Sequence, residues 1–200
     1  MRDTAPVVLG TEAKSRNNDF FNCVECNTFA SLGNKRCHHR TLHDPKVLVL
    51  SGFIDYEAPL KFAIMENHRR YAQLYGYDYK SYESKHSRSL HEAATWSKPL
   101  WILDGLEHYD WIFWVDADSI FMNTEINPIG SHIENSEVDI VFSNDKVWMN
   151  AGQLLVRSST WSKKFLRELL DLPERPCRPL RDNGAFWKLM FGKCLKITSI

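Results

Sequence analysis

Two carboxylates one residue apart, Asp116 and Asp118, stand directly after the apolar run Trp111-Ile112-Phe113-Trp114-Val115. Acids so spaced can aim oxygens at one point, where they repel each other unless a proton or a hard divalent cation lies between them. A diphosphate brought to the bare pair would be opposed by roughly 4 kcal/mol per carboxylate, at about 4 Å and an effective dielectric near 20. Mn2+ or Mg2+ reverses that sign, so the pair reads as a site for a cation together with an anionic leaving group. The run before it reads as a strand buried on both faces, and in open α/β sheets ligands sit in the crevice beyond the carboxyl ends of such strands. The plainer alternative is that the two acids cap a loop or accept backbone donors at the next turn.

Periodicity supplies the elements that must position this pair. Val47-Leu48-Val49-Leu50, stopped by Ser51-Gly52, predicts a first buried strand ending in a tight turn. Pro59 suits a first helical turn, Leu60, Ala63, Ile64, Asn67, Tyr71 and Leu74 recur at helical spacing, and Gly76 is placed to end the helix. Residues 77–82 follow as a second strand. A second amphipathic helix starts around Ser97 and Pro99 and turns Leu100, Leu103 and Leu106 inward. Short strands are expected at 138–142 and 153–157, the latter following Asn150-Ala151-Gly152, for which an ordinary turn requiring a left-handed glycine is the plain reading. Thr160 can cap a last helix with Trp161, Phe165, Leu166, Leu169 and Leu170 on one apolar face. Alternating strands and helices predict an α/β fold with a single Rossmann-like mixed sheet and helices on both faces. Trp96, Trp111, Trp114 and the tyrosines Tyr71, Tyr75 and Tyr77 read as core aromatics ahead of sugar platforms or base-stacking groups.

The 200 residues, 44% of them hydrophobic, suffice for one packed domain, expected at 45–200 behind an irregular polar leader at 1–44. Lys plus Arg equals Asp plus Glu at 25 each, so overall charge points to neither nucleic acid nor an anionic membrane. No stretch approaches the roughly 18 apolar residues that a membrane span needs. Cys23, Cys26 and Cys37, with His38 or His39, have spacing compatible with structural zinc. A disulfide to Cys37, or free thiols, are the competing readings, and Cys177 and Cys194 form another candidate pair.

An ordered set of segments then carries a resemblance: Asn67-His68-Arg69-Arg70-Tyr71-Ala72-Gln73-Leu74-Tyr75-Gly76-Tyr77, Trp96-Ser97-Lys98, Trp114-Val115-Asp116-Ala117-Asp118-Ser119-Ile120-Phe121-Met122-Asn123, Asn150-Ala151-Gly152 and Asp182-Asn183. From about Lys46 to about Phe191 the chain resembles glycosyltransferase family 34, which groups galactosyl- and mannosyltransferases with xyloglucan xylosyltransferases. The resemblance implies a GT-A fold and transfer of a sugar, with retention, from a nucleotide diphosphate sugar donor to a glycan acceptor. It implies that Asp116 and Asp118 hold Mn2+ (or Mg2+), that Asn150 and Gly152 line the sugar and acceptor side, and that Asp182 and Asn183 lie near the anomeric carbon. Asn67 could meet the nucleotide and Lys98 a phosphate, although on helices a buried polar contact and a solvated cation are the plain readings of these two. For Asp182 the plain reading is a pair with Arg178 or Arg181. Relatives in this family are Golgi membrane proteins, which implies a Golgi location.

Two departures bear on these expectations. Asn183 stands where the family usually has Gln, one methylene longer. The family's later histidine, which completes the metal and diphosphate site, has no counterpart, since the last histidine is His132. The resemblance therefore implies a chain incomplete at its C-terminus and lacking the third protein ligand. Two alternatives remain in view: a catalytically impaired nucleotide-sugar or glycan-binding remnant, and a phosphatase of the haloacid dehalogenase type that uses the first acid as nucleophile. The acid pair of such phosphatases follows the first strand, which disfavours that reading here.

Overall fold

The computed structural model describes residues 44–54, 56–84, 96–134, 137–144, 149–172 and 181–192. The expected leader up to residue 43, all five cysteines, His38, His39 and Arg178 lie outside these residues. The elements in chain order are β1 (Val47–Ile54), α1 (Ala58–Leu74), β2 (Asp78–Ser84), α2 (Ser97–Gly105), β3 (Trp111–Val115), α3 (Gly130–Ile133), β4 (Ile140–Asn144), β5 (Met149–Arg157), α4 (Thr160–Leu170) and α5 (Arg181–Phe191).

The strands form one mixed sheet of order β2-β1-β3-β5-β4. β1 pairs in parallel with β2 and β3, whereas β5 runs antiparallel to β3 and β4 antiparallel to β5. From β1 the chain moves outward to β2 and then returns to the opposite neighbour, β3, so strand order reverses between β1 and β3. Such a reversal opens a crevice at the strand carboxyl ends, and Asp116 emerges from β3 at that point. The Leu48, Leu50, Ile112, Trp114, Leu154 and Val156 side chains pack on one face against α2, α4 and α5; Val47, Val49, Trp111, Phe113 and Leu155 pack on the other against Tyr71, Ala72 and Ile129. Every residue of β3 is buried, as expected of a strand covered on both faces.

Several boundaries differ from the sequence expectation, each for a physical reason. β1 continues through Ser51-Gly52 to Ile54, because its pairing with β2 persists as far as Ile54↔Ser84. Gly52 serves close packing: a Cβ there would lie 2.2 Å from Cζ3 of Trp101 and 2.8 Å from Cη2 of Trp114. α1 buries Ile64, His68, Tyr71 and Ala72, so Leu60 and Ala63 face solvent. Gly76 ends α1 as expected, at φ 68°, and the Tyr77 and Gly76 amides bond the Ala72 and Gln73 carbonyls, a Schellman closure. α2 turns Trp101 and Ile102 inward and leaves Leu100 exposed; Leu106 is buried, as expected. Asn150-Ala151-Gly152 lies within β5, not in a turn, and only Gly76 and Gly192 among the described glycines have positive φ. α4 is capped by Ser159, whose side chain accepts from the Ser162 amide in a reciprocal capping box, and Thr160 is its first helical residue. Trp161 is exposed, while Phe165, Leu166 and Leu169 carry the buried face of α4. Among the described residues no helix is long and apolar enough to cross a membrane.

Candidate functional site

The carboxyl end of β3 is fixed from the inside. The Asp116 amide donates to the Gly152 carbonyl at 2.8 Å, and the Asp116 carbonyl accepts from the Ser119 amide at 3.0 Å, which closes a turn over Ala117 and Asp118. Asp116 Oδ1 accepts from the Trp114 indole at 2.6 Å and from Lys98 Nζ at 3.0 Å. Asp116 Oδ2 lies on the Gly152 side, where a Cβ on residue 152 would approach it to 3.2 Å and the Asn150 Oδ1 to 2.9 Å. Gly152 is thus needed for a close approach of β5 to the carboxylate. Asp118 is exposed at the rim.

Lys98 is the least expected member of the site. It opens α2, yet its side chain is 7% exposed, and its three donors are spent on Asp182 Oδ2 at 2.7 Å, the Ala151 carbonyl at 2.9 Å and Asp116 Oδ1. Burial opposes the charge, but Asp182 and Asp116 more than offset it and hold the ammonium above its usual pKa. Burial pushes the Asp116 carboxyl up from its ordinary value, against the pull of Lys98 and the Trp114 indole. With an ammonium in contact, we take Asp116 as the ionised partner.

Asp182 and Asn183, on the first turn of α5, are drawn to the same place. Asp182 pairs with Lys98, and Asn183 Oδ1 accepts from the Ala151 amide at 2.7 Å. Asn150 Oδ1 accepts from the Gly152 amide at 2.6 Å. Asp116, Lys98, Asp182, Asn183, Asn150 and Gly152 therefore converge on one end of the sheet. Asn67 stands apart from that cluster and bonds the backbone of Phe121, in the loop beyond Asp118.

Two residues beside the acids are absent from the sequence reading of the site: Trp114, expected only as a core aromatic, and Tyr56. Trp114 is two residues before Asp116 on a strand, so both side chains share a face, a spacing that could have pointed to the indole–carboxylate bond. Tyr56 follows β1, and its phenol pKa is raised by burial and then by the negative charge of Asp118 and Asp116, which sets it in the field of both acids. Nothing in its local sequence marks it.

The donor set fits a cation that arrives with its substrate. Asp116 Oδ1 is committed to protein donors, which leaves Oδ2 and the exposed Asp118 carboxylate. Mg2+-type ions are commonly held by one or two carboxylates plus substrate phosphates and water. Among the described residues no group of three His, Cys, Asp or Glu side chains is arranged to hold a metal ion, so the protein's share would be these two acids.

Comparison with known proteins bears on the family and the fold. Residues 44–133 match the model of the galactosyl transferase GMA12/MNN10 family, glycosyltransferase family 34. An alpha-1,2-galactosyltransferase of Schizosaccharomyces pombe (strain 972 / ATCC 24843) is 24% identical over 92 residues, which cover 44% of this chain and 24% of that protein. The chain thus spans about a quarter of the length of that curated relative. The crystal structure of a glycosyltransferase involved in the glycosylation of the major capsid of PBCV-1 shares the fold, with a TM-score of 0.61 at 18% identity over 74% of this chain and 78% of that one. By sequence over residues 44–133 the chain is glycosyltransferase-family-34-like, and its mixed sheet with flanking helices is a GT-A-like glycosyltransferase fold.

Proposed function

We propose that the chain transfers a hexose or pentose from a nucleotide diphosphate sugar to a glycan acceptor, with retention, using Mn2+ or Mg2+ held by Asp116 and Asp118. The observation that carries this reading is the pair of acids at the strand-order reversal, one anchored by Trp114 and Lys98 and the other open to solvent. The cation, when bound, would supply Lewis-acid charge to the leaving diphosphate.

The remaining residues bind and orient. Lys98 sets one positive charge between Asp182 and one oxygen of Asp116, so the site does not present three bare carboxylates to an anionic donor. Gly152 leaves open the approach that a side chain would fill. Asn150 and Asn183 fix the backbone of 151–152 from two directions, and that backbone would face the sugar and acceptor. Asp182 would stabilise developing positive charge at the anomeric carbon. A Golgi location, the habit of family-34 relatives, goes with this reading.

Calorimetric titration of UDP and of GDP, each with and without Mn2+, tests the proposal. The wild-type chain is expected to bind one of them in a manganese-dependent manner, and Asp116→Ala and Asp118→Ala to abolish that binding while keeping the melting transition. Unchanged affinity in both variants would remove the metal-site reading. The two-acid donor set favours one second reading, a nucleotide-sugar or glycan-binding remnant of impaired catalysis. Manganese-dependent binding without donor hydrolysis or transfer would select it.

A further inference from the structure

The loop that carries Asp118 is gripped by one helix. Asn67 of α1 donates from Nδ2 to the Phe121 carbonyl at 3.1 Å and accepts at Oδ1 from the Phe121 amide at 2.8 Å, across 54 residues of sequence. One side-chain amide thus makes the two-bond pairing of a strand neighbour with a stretch that joins no strand. His68, wholly buried, places Nε2 2.7 Å from the Ser119 carbonyl and Nδ1 2.7 Å from the Ser51 hydroxyl. A carbonyl only accepts, so Nε2 carries the proton and Nδ1 accepts from Ser51.

Further along α1, Tyr71 stacks on Phe121 with ring centroids 3.7 Å apart and donates to Asn127 Oδ1 at 3.0 Å. Tyr75 donates to the Thr124 carbonyl at 2.9 Å. Between Ser119 and Asn127 most apolar side chains add little burial, since Ile120, Met122 and Ile126 are 52%, 85% and 60% exposed, whereas Ala117 packs beside Phe53 and Ile64 and Phe121 packs against the core. Beyond the turn closed by Ser119 on Asp116, its position thus leans on hydrogen bonds and ring contacts made by α1.

We infer that Asn67 and His68 are positioning residues for Asp118. By fixing the backbone at Ser119 and Phe121, they set where the Asp118 carboxylate stands relative to Asp116, against the repulsion that would drive a looser loop outward. A loop set in advance spares the cation and diphosphate the cost of ordering it. Asn67 acts through the loop and not by touching the nucleotide. The inference rests on the reading of Asp116 and Asp118 as the holders of a cation.

The test compares Asn67→Leu, Asn67→Asp and Ala72→Gly with the wild-type chain. Ala72 is buried in the same helix, and its glycine variant lowers stability without removing a bond to the loop. Two measurements are made: amide hydrogen exchange of 119–127, and calorimetric affinity for Mn2+ with UDP and with GDP. Asn67→Leu is expected to lose protection at Phe121 and to weaken manganese–nucleotide binding by about 10–100-fold, the usual effect of removing a group that orients a metal ligand. Asn67→Asp, which keeps the acceptor but not the donor, should fall between, and Ala72→Gly should keep wild-type affinity. Wild-type affinity in Asn67→Leu would overturn the inference, as would an equal loss in Ala72→Gly. If the wild-type chain binds neither manganese–UDP nor manganese–GDP, the metal reading itself fails and takes the inference with it.

Discussion

Lys98→Met removes the cation that faces both Asp116 and Asp182 while keeping most of the buried stem, since methionine is similarly long and unbranched. Nζ lies 2.7 Å from Asp182 and 3.0 Å from Asp116 on a side chain 7% exposed. At an effective dielectric near 20 these contacts represent roughly 6 and 5.5 kcal/mol of gross attraction. Desolvation of the three charges cancels much of it, and breaking a buried pair costs about 3–5 kcal/mol in practice. A second bound comes from titration. Once the ammonium is gone, one carboxyl can take a proton, which at pH 7 costs about 1.36 kcal/mol for each unit above its ordinary pKa near 3.9, or about 4 kcal/mol. The expected loss of stability at pH 7 is therefore about 3–4 kcal/mol, the range where the two bounds overlap.

The titration bound also fixes a pH dependence. In the variant a carboxyl pKa is raised above its unfolded value, so the folded variant binds more protons than the unfolded chain and loses stability as pH rises. At pH 5 the proton costs only about 1.5 kcal/mol, so the gap to the wild-type protein should shrink to about that size. Urea unfolding of both proteins at pH 5, 6 and 7 measures the gap directly, and titrations common to both cancel in the difference. A gap below about 1 kcal/mol at pH 7 would show that the ammonium is not the counter-charge, because even exposed pairs reach that value. A gap equal at pH 5 and 7 would refute the protonation step.

Two further outcomes follow from the core. Gly52→Ala would drive a Cβ to within 2.2 Å of the Trp101 ring, and overpacking of this kind costs about 1–3 kcal/mol; thermal unfolding should show a melting temperature lowered by several degrees, and an unchanged one would mean that the two tryptophans repack freely. Burial holds the His68 pKa below its ordinary value, so below about pH 6.5 the unfolded chain takes up more protons than the folded one, and stability declines as pH falls. His68→Gln should flatten that decline in urea titrations at pH 7.5 and 5.5, and parallel behaviour of the two proteins would exclude His68 as its source.

The central strand and its acid pair were legible in the sequence because both are local: five buried apolar residues followed by two carboxylates need no knowledge of what lies opposite. The helix faces were harder. Counting apolar residues on α1 gave weight to Leu60, but the buried stripe runs through Ile64, His68, Tyr71 and Ala72, since a histidine with both nitrogens bonded is as well buried as a leucine. Asn150-Ala151-Gly152 looked like a turn from its residue types. Within β5 the same residues answer a different demand, a strand that must pass a carboxylate at close range. Lys98 was expected to reach a phosphate or else to stand as a solvated cation, and its burial was not legible because the acids that bury it are remote in sequence and the Ala151 carbonyl it bonds is 53 residues away. The resemblance to family 34 placed Asp182 at the site, yet its pairing with Lys98 needed the fold to bring α5 against α2 and β5.

On the proposed reading, the charge balance at the rim links the buried lysine to the divalent cation. At formal charge Asp116, Asp118 and Asp182 contribute three negative units and Lys98 one positive, so the cluster carries two negative charges in excess. Without Lys98 a single divalent ion would leave the site still anionic, and the diphosphate would meet repulsion of the order of the roughly 4 kcal/mol per carboxylate that makes a bare acid pair hostile to it. With Lys98 one such ion brings the cluster to neutrality before the diphosphate adds its own charge. The two cations would then divide Asp116 between them. Lys98 and Trp114 take one oxygen and fix the strand end, which leaves the oxygen beside Gly152 for the proposed ion. A carboxylate held on one side and open on the other can bind an ion without moving, and that preorganisation is what α1 extends to Asp118 through Asn67 and His68.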